Sequence, residues 1–159
     1  MADDIDELEH RLGELLANVA PEARVRIAHQ LGRALRRSQA NRIRANRDPD
    51  GKPFEPRKPR KRLRDKSGRI KRRVKAGPMF RKLGQAKALQ WIASPDGVEV
   101  GFGGGAVQRI VRVHQFGLRD RVARRPGAPD ALYPARRLLG LTTEERSELL
   151  DMVVRKIAE

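Results

Sequence analysis

Cysteine is missing from all 159 residues, which excludes disulfide staples, thiolate-held metal and a cysteine nucleophile. Aromatic residues make up only 4% of the chain, so a core must be built from Leu, Ile, Val and Ala, with limited apolar burial per residue. Stability is then expected to lean on partners. Long hydrophobic runs are absent as well: nothing approaches the ~18 consecutive apolar residues of a membrane-spanning helix. The opening MADDIDELEHRL is acidic and amphipathic, without the basic start or apolar stretch of a secretory leader. Synthesis in the cytoplasm, with no membrane partner, is the expectation.

Positive charge is what the chain has in excess. A formal net charge of +16 is far more than solubility requires and calls for a polyanionic or acidic neighbour wherever copies crowd together. The excess is localised. Residues 47–82 carry sixteen Lys and Arg against four Asp and Glu, a net +12, whereas residues 1–19 carry six acids against one arginine. The basic stretch is rich in Pro and Gly with weak periodicity, which predicts an extended arm or long loop, ordered on binding. It opens with DPDGKPF, a turn in which Pro49 presets φ and Gly51 admits a positive one. Arg57, Lys58, Arg60, Lys61, Arg62, Arg64, Arg69, Lys71, Arg72 and Arg73 are its candidate contacts with a partner or with DNA. Interleaved aromatics for base stacking are limited to Phe54 and Phe80, so such contact would be nonspecific and steeply salt-dependent. A solvated charged segment with no partner is the plainer alternative.

Hydrophobic spacing places a helix over 3–18, with Ile5, Leu8, Leu12, Leu15 and Leu16 in register and Asp3, Asp4 and Asp6 in its first turn. Pro21 suits the first turn of a second helix running to about Arg47, with Ile27, Leu31, Ala34, Leu35 and Ser38 on one face and Arg26, Arg33, Arg37, Arg44 and Arg47 on the other. A short helix is expected over 79–88, then a hairpin in which LQWIAS and VEVGF flank the turn SPDG. GGGAVQRIVRVHQFG reads as a helix ending at Gly117, with a strand over IVRVHQF as the alternative. Residues 118–141 read as a basic loop or hairpin returning through Tyr133 into a final extended, strand-like segment, YPARRLLGL. TTEERSELLDMVVRKIAE closes the chain as a helix capped by Thr142 or Thr143, with Leu149, Leu150, Val153, Val154 and Ile157 as its apolar face. The fold class is α+β: a small antiparallel sheet with packed helices, a long N-terminal helical region (1–46), the basic arm (47–82) and an α+β portion with a C-terminal helix (83–159), in a single domain.

Catalysis finds little support. His10 and His29 read as helix-surface residues with no acid or second histidine one turn away, and His114 has the non-ionisable Gln115 and Phe116 beside it. GFGGG, residues 101–105, lacks the lysine and hydroxyl residue of a phosphate-binding loop and reads as a flexible connection. No catalytic residue, metal site or cofactor is expected.

The order of motifs carries further information. A basic second helix, RDPDGKPFEPRKPR, GRIKRR, MFRKL, VEVGF, RVHQFGLRDRV, YPARRLLGL and a final acidic helix together resemble the bacteriophage virion morphogenesis family, the tail completion proteins. That resemblance spans nearly the whole chain. It implies a non-enzymatic virion protein, made in the host cytoplasm and resident in the tail or neck, that finishes the tail and supports head–tail joining. A homo-oligomeric ring at the head-proximal end of the tail is the assembly expected under that role, with tail tube or tail terminator and head–tail connector proteins as partners and packaged DNA as a nonspecific contact. Under this reading HQFG is a structural corner: Phe116 packs in the core, Gly117 turns the chain, and His114 and Gln115 satisfy backbone groups or face a neighbour. In the motif that includes Pro134, Tyr133, Leu138 and Leu139 pack while Arg136 and Arg137 face a partner. The competing reading is a basic nucleic-acid-binding or chaperone-like protein acting through residues 47–82.

Overall fold

The computed structural model describes residues 2–17, 19–57, 79–122 and 126–158. Its elements are α1 (Ala2–Leu16), α2 (Pro21–Arg44), β1 (Leu89–Ser94), β2 (Gly97–Phe102), α3 (Gly105–Phe116), β3 (Arg119–Arg121), β4 (Asp130–Leu132) and α4 (Thr143–Ile157). The class is α+β, as the patterning predicts. The strands form two separate antiparallel pairs, β1–β2 and β3–β4, and not one sheet.

Helix α2 is the spine, because its apolar positions serve two cores in succession. Ile27 and Leu31 pack with Leu8 of α1 and with Leu149 and Val153 of α4. Two turns further on, Ala40 and Ile43 join Leu89, Phe102, Val111 and Leu138, along with Phe54, Met79 and Leu83 from the flanks of the basic stretch. Pro21 stands in the first turn of α2, where its missing N–H costs nothing. Between the two cores lies Gly32. A Cβ there would sit 2.7 Å from both the Trp91 ring and the Val98 side chain, so the absent side chain is what lets the β1–β2 hairpin lie on the helix.

Local signals fix the other ends. The hairpin register pairs Ser94 with Gly97 and Leu89 with Phe102, so the two buried strand residues share one face. Helix α3 stops at Gly117, whose φ of 65° and ψ of 45° form a left-handed cap. Thr142 caps α4 in a reciprocal box: its side chain accepts from Glu145 N–H at 3.0 Å, and the Glu145 carboxylate accepts from Thr142 N–H at 2.9 Å.

Several expectations are corrected. Residues 79–88 are a succession of turns, not a helix. Phe80 adopts φ of +60°, outside the helical region, and Leu83, Gln85 and Ala88 N–H donate to the carbonyls three residues back, of Phe80, Lys82 and Gln85; Gly84 lies so close to α2 that a Cβ would be 3.2 Å from Ala40 O. YPARRLLGL is irregular from Tyr133 onward and forms no strand, since β4 ends at Leu132. On α4, Leu149 and Val153 are buried, but Val154 and Ile157 are exposed.

Ala is ordinarily the better helix former by about 1 kcal/mol over Gly. At Gly32 the crowding should reverse that sign, since overpacking costs about 1–3 kcal/mol. Gly32→Ala is therefore expected to lower the urea unfolding midpoint; a raised midpoint would contradict the close helix–hairpin contact.

Candidate functional site

Two ends of the chain meet where the basic stretch leaves the described structure at residue 57 and re-enters it at residue 79. On the outgoing side, residues 47–53 close a turn. Asp48 N–H donates to Lys52 O at 2.8 Å, Lys52 N–H donates to the Asp48 carboxylate at 2.8 Å, and Gly51 takes φ of +78°. Phe54 is buried, and its N–H returns to Asn46 O at 2.8 Å. On the incoming side Met79 is buried and Phe80 meets Phe54 edge to face at 5.7 Å. An aromatic file continues from Phe80 to His114 at 4.9 Å and from His114 to Tyr133 at 5.2 Å. With so few aromatics in the chain, this concentration marks the spot.

Arg136 holds the junction. Only 5% exposed, its guanidinium donates from Nε to Glu55 O at 2.7 Å, from one terminal nitrogen to Pro56 O at 3.2 Å, and from the other to His114 Nδ1 at 3.0 Å. Its backbone N–H also donates to His114 O at 2.6 Å. Arginine has donors and no acceptor, so Nδ1 must present its lone pair and the imidazole proton belongs on Nε2. Burial, then the positive charges of Arg136 and Arg57, push the His114 pKa down to about 4. The imidazole is neutral at pH 7 and serves as an acceptor. Burial also lowers the Arg136 pKa from its usual value.

Gln115 ties the next segment. Its Oε1 accepts from Leu138 N–H at 2.8 Å and from Leu139 N–H at 3.0 Å, and its Nε2 donates to Leu139 O at 3.0 Å. This satisfies an irregular strip that has no ladder of its own. Gly117 is confined, since a Cβ there would lie 3.0 Å from Ala135 N. Arg137 pairs with Asp48 at 3.3 Å and with Asp50, pinning the turn at the root of the basic stretch.

Against the sequence reading, Gln115 and Gly117 do what the corner requires, and His114 is drawn into it. Tyr133 and Pro134 are half-buried and Leu138 is fully buried. Phe116 does not pack in the core: it is 68% exposed, because it falls on the α3 face that carries Arg109 and Arg112. Arg136 and Arg137 do not face outward as partner contacts, since both turn inward to residues 48–56. Of the arm candidates, Arg57 is exposed, whereas Lys58, Arg60, Lys61, Arg62, Arg64, Arg69, Lys71, Arg72 and Arg73 lie outside the described residues. His10 does have an acid one turn away, Glu14 at 3.2 Å, though both are well exposed. His29 stacks edge-on to Trp91 at 5.1 Å. Among the described residues no cluster of three or more His, Asp or Glu is placed to hold a metal ion, and no helix is long and apolar enough to cross a membrane.

A corner built of carbonyl-bound arginine, neutral histidine and edge-to-face rings is a device for fixing chain segments. The chain belongs to the phage virion morphogenesis family, whose model matches residues 3–158. It is 36% identical over 151 residues, 95% of each chain, to Tail completion protein S of Escherichia phage P2. No solved structure matches it.

Because the folded state disfavours protonated His114, the unfolded chain binds the extra proton between its ordinary value near 6.5 and the folded value of about 4. The contribution of His114 is thus complete above pH ~6.5 and is lost progressively as pH falls towards 4. Unfolding free energy followed by denaturant titration should decline over that window, and His114→Gln should flatten this part of the slope. An unchanged slope in the variant would show that another group titrates there.

Proposed function

We propose that this chain is a non-enzymatic assembly protein that completes a phage tail and supports head–tail joining, as a homo-oligomeric ring at the head-proximal end of the tail. The observation carrying the reading is 36% identity across nearly the full length of both chains to a protein named for tail completion, within a family named for virion morphogenesis. The corner geometry supports the non-enzymatic part. His114 has its Nδ1 lone pair occupied by Arg136 and, among the described residues, no carboxylate as a hydrogen-bond partner, so none of them supplies the orienting group of a general base.

Residence in the virion at the tail or neck, after synthesis in the host cytoplasm, follows from this reading. So do tail tube or tail terminator and head–tail connector proteins as neighbours. Arg57, Lys58, Arg60, Lys61, Arg62, Arg64, Arg69, Lys71, Arg72 and Arg73 would meet acidic surfaces on those neighbours or phosphates of packaged DNA, a contact that counterion release makes salt-dependent. Because Arg136 and Arg137 anchor both flanks of the turn at residues 47–56, the segment would start from a fixed point on the subunit.

Deleting the gene from the parent particle and viewing lysates by negative-stain microscopy is the test. Filled heads separate from tails, or unfinished tails, are expected, with complementation restoring joined particles. Normal infectious particles would contradict tail completion and favour a nucleic-acid-binding role for residues 47–82.

A further inference from the structure

Helix α2 carries seven arginines and a single acid, Glu22. Those arginines are spent unequally. Arg36, Arg42 and Arg44 donate to main-chain carbonyls of other segments, Arg24 is half-buried, and Arg26 sits one turn from Glu22. Arg33 and Arg37 are left. Both are exposed and, among the described residues, hold neither a carbonyl nor a carboxylate. Four positions apart, they share one face of the helix at about 6 Å along its axis.

Helix α4 runs antiparallel beside that face. The Ser38–Glu145 hydrogen bond at 2.6 Å and the packing of Ile27 and Leu31 with Leu149 and Val153 fix its direction. Its last turn brings Arg155 and Lys156 to a groove of ≈ 350 Å³ that they line together with Arg33, Arg37, Ala34 and Met152. No carboxylate lines the groove among the described residues. Glu148 and Asp151 are exposed on α4 outside it, and Arg155 Nε donates to the main-chain carbonyl of Asp151 at 3.2 Å. Asp151, one turn before Arg155, offsets part of that charge, so the α2 wall sets the field.

The lining narrows the ligand. Its residues lie inside helices, where main-chain N–H groups are taken by the i to i−4 ladder, so no cradle for a small anion is built. No aromatic ring lines the groove, which leaves the bases of a single strand nothing to stack on; Trp91 lies against Gly32 on another face of α2. Its small apolar portion, Ala34 and Met152, has no aromatic anchor of the kind that protein interfaces centre on. Acids on α1 of a second copy are partly committed already, Glu7 to Arg11 and Glu14 to His10. A polar, strongly positive surface with side-chain donors alone suits the backbone of a duplex.

We infer that the α2/α4 groove binds the phosphate backbone of duplex DNA, with Arg33 and Arg37 each taking phosphate oxygens and Arg155 and Lys156 flanking them. Arginine presents a planar fork that engages phosphate through two N–H groups at once. The contact carries no base readout and draws its affinity from counterion release. It lies on the folded helices, apart from residues 57–73. In taking packaged DNA as the duplex, the inference rests on the proposed function; the groove itself does not depend on that reading.

Fluorescence anisotropy of the full chain with a labelled duplex of mixed sequence, over a range of salt concentrations, tests it. The double variant Arg33→Gln/Arg37→Gln is compared with Arg112→Gln/Arg119→Gln, which removes the same charge from exposed positions on α3 and β3. Glutamine is nearly as good a helix former as arginine, so the unfolding midpoint of the groove variant should match the wild type. Its affinity is expected to fall about 10-fold at 0.1 M salt and its salt slope by about 2, at ~0.9 per lost phosphate contact, while the comparison variant changes far less. Absence of cysteine from the chain allows a second reading that removes no charge. Gln30→Cys, in the groove, and Ile92→Cys, exposed on the hairpin, are each labelled with a photo-crosslinker; the duplex should be captured from position 30 and not from 92. Equal losses in the two double variants, no capture from position 30, or a wild type that does not bind the duplex would overturn the inference and leave the groove to an acidic protein surface. Tail completion is judged apart from all of this, by whether gene deletion separates heads from tails.

Discussion

The guanidinium of Arg136 is the constraint on which the rest of this structure turns. It is buried, and its partners are two main-chain carbonyls and an imidazole nitrogen, with no carboxylate among them. Removing such a cation from water is costly unless its donors are satisfied. Here the donors are spent on Glu55 O and Pro56 O, carbonyls at the very point where the basic stretch departs. Arg136 therefore fixes three segments at once: the end of the 47–56 turn, the C-terminal turn of α3 through His114, and its own irregular strip. The edge-to-face contact of Phe54 with Phe80 adds the fourth, by drawing in the point of return.

The same economy recurs along α2. Arg36 donates to Leu89 O, Arg42 to Gly140 O and Arg44 to Gly84 O, each over a long sequence separation. Arg47 does the same locally for Gly51 O. Regular elements satisfy their own carbonyls; irregular strips such as 79–88 and 133–142 need outside donors, and the planar fork of arginine reaches several at once. In a chain poor in aromatics, long side chains also cover apolar surface with their stems. Part of the +16 charge is thus structural, and only the remainder is available to partners.

Much of this fold is written locally. Capping by Thr142 and Glu145, the SPDG hairpin, Pro21 at the start of α2 and Gly117 at the end of α3 each depend on a few adjacent residues, and each reads directly from the chain. The failures share a different cause. Over 79–88, apolar spacing suits a helix, but the close approach of Gly84 to Ala40 on α2 is tertiary and leaves no local mark. Arg136 and Arg137 read as outward cations because charge ordinarily faces water; their inward course depends on the Glu55 and Pro56 carbonyls and on the Asp48 and Asp50 carboxylates, 80 to 89 positions earlier in the chain. Phe116 is legible in the chain as well: helical spacing puts it four residues from Arg112 and seven from Arg109, on the outer face of α3. Membership of a tail-protein family came from the order of short motifs, which no single residue pattern discloses.

Hydrogen exchange by mass spectrometry, comparing wild type with Arg136→Lys, tests the central claim most directly. Lysine keeps the charge but has one nitrogen where arginine spreads its donors across a rigid fork, so it cannot span two carbonyls and an imidazole together. The account predicts that protection falls selectively in peptides covering residues 46–57 and 114–118, while α1, α4 and the first turns of α2 exchange as before. Unchanged protection at 46–57 and 114–118 in a folded variant would contradict it, and would show that the aromatic file alone holds the root of the basic stretch in place.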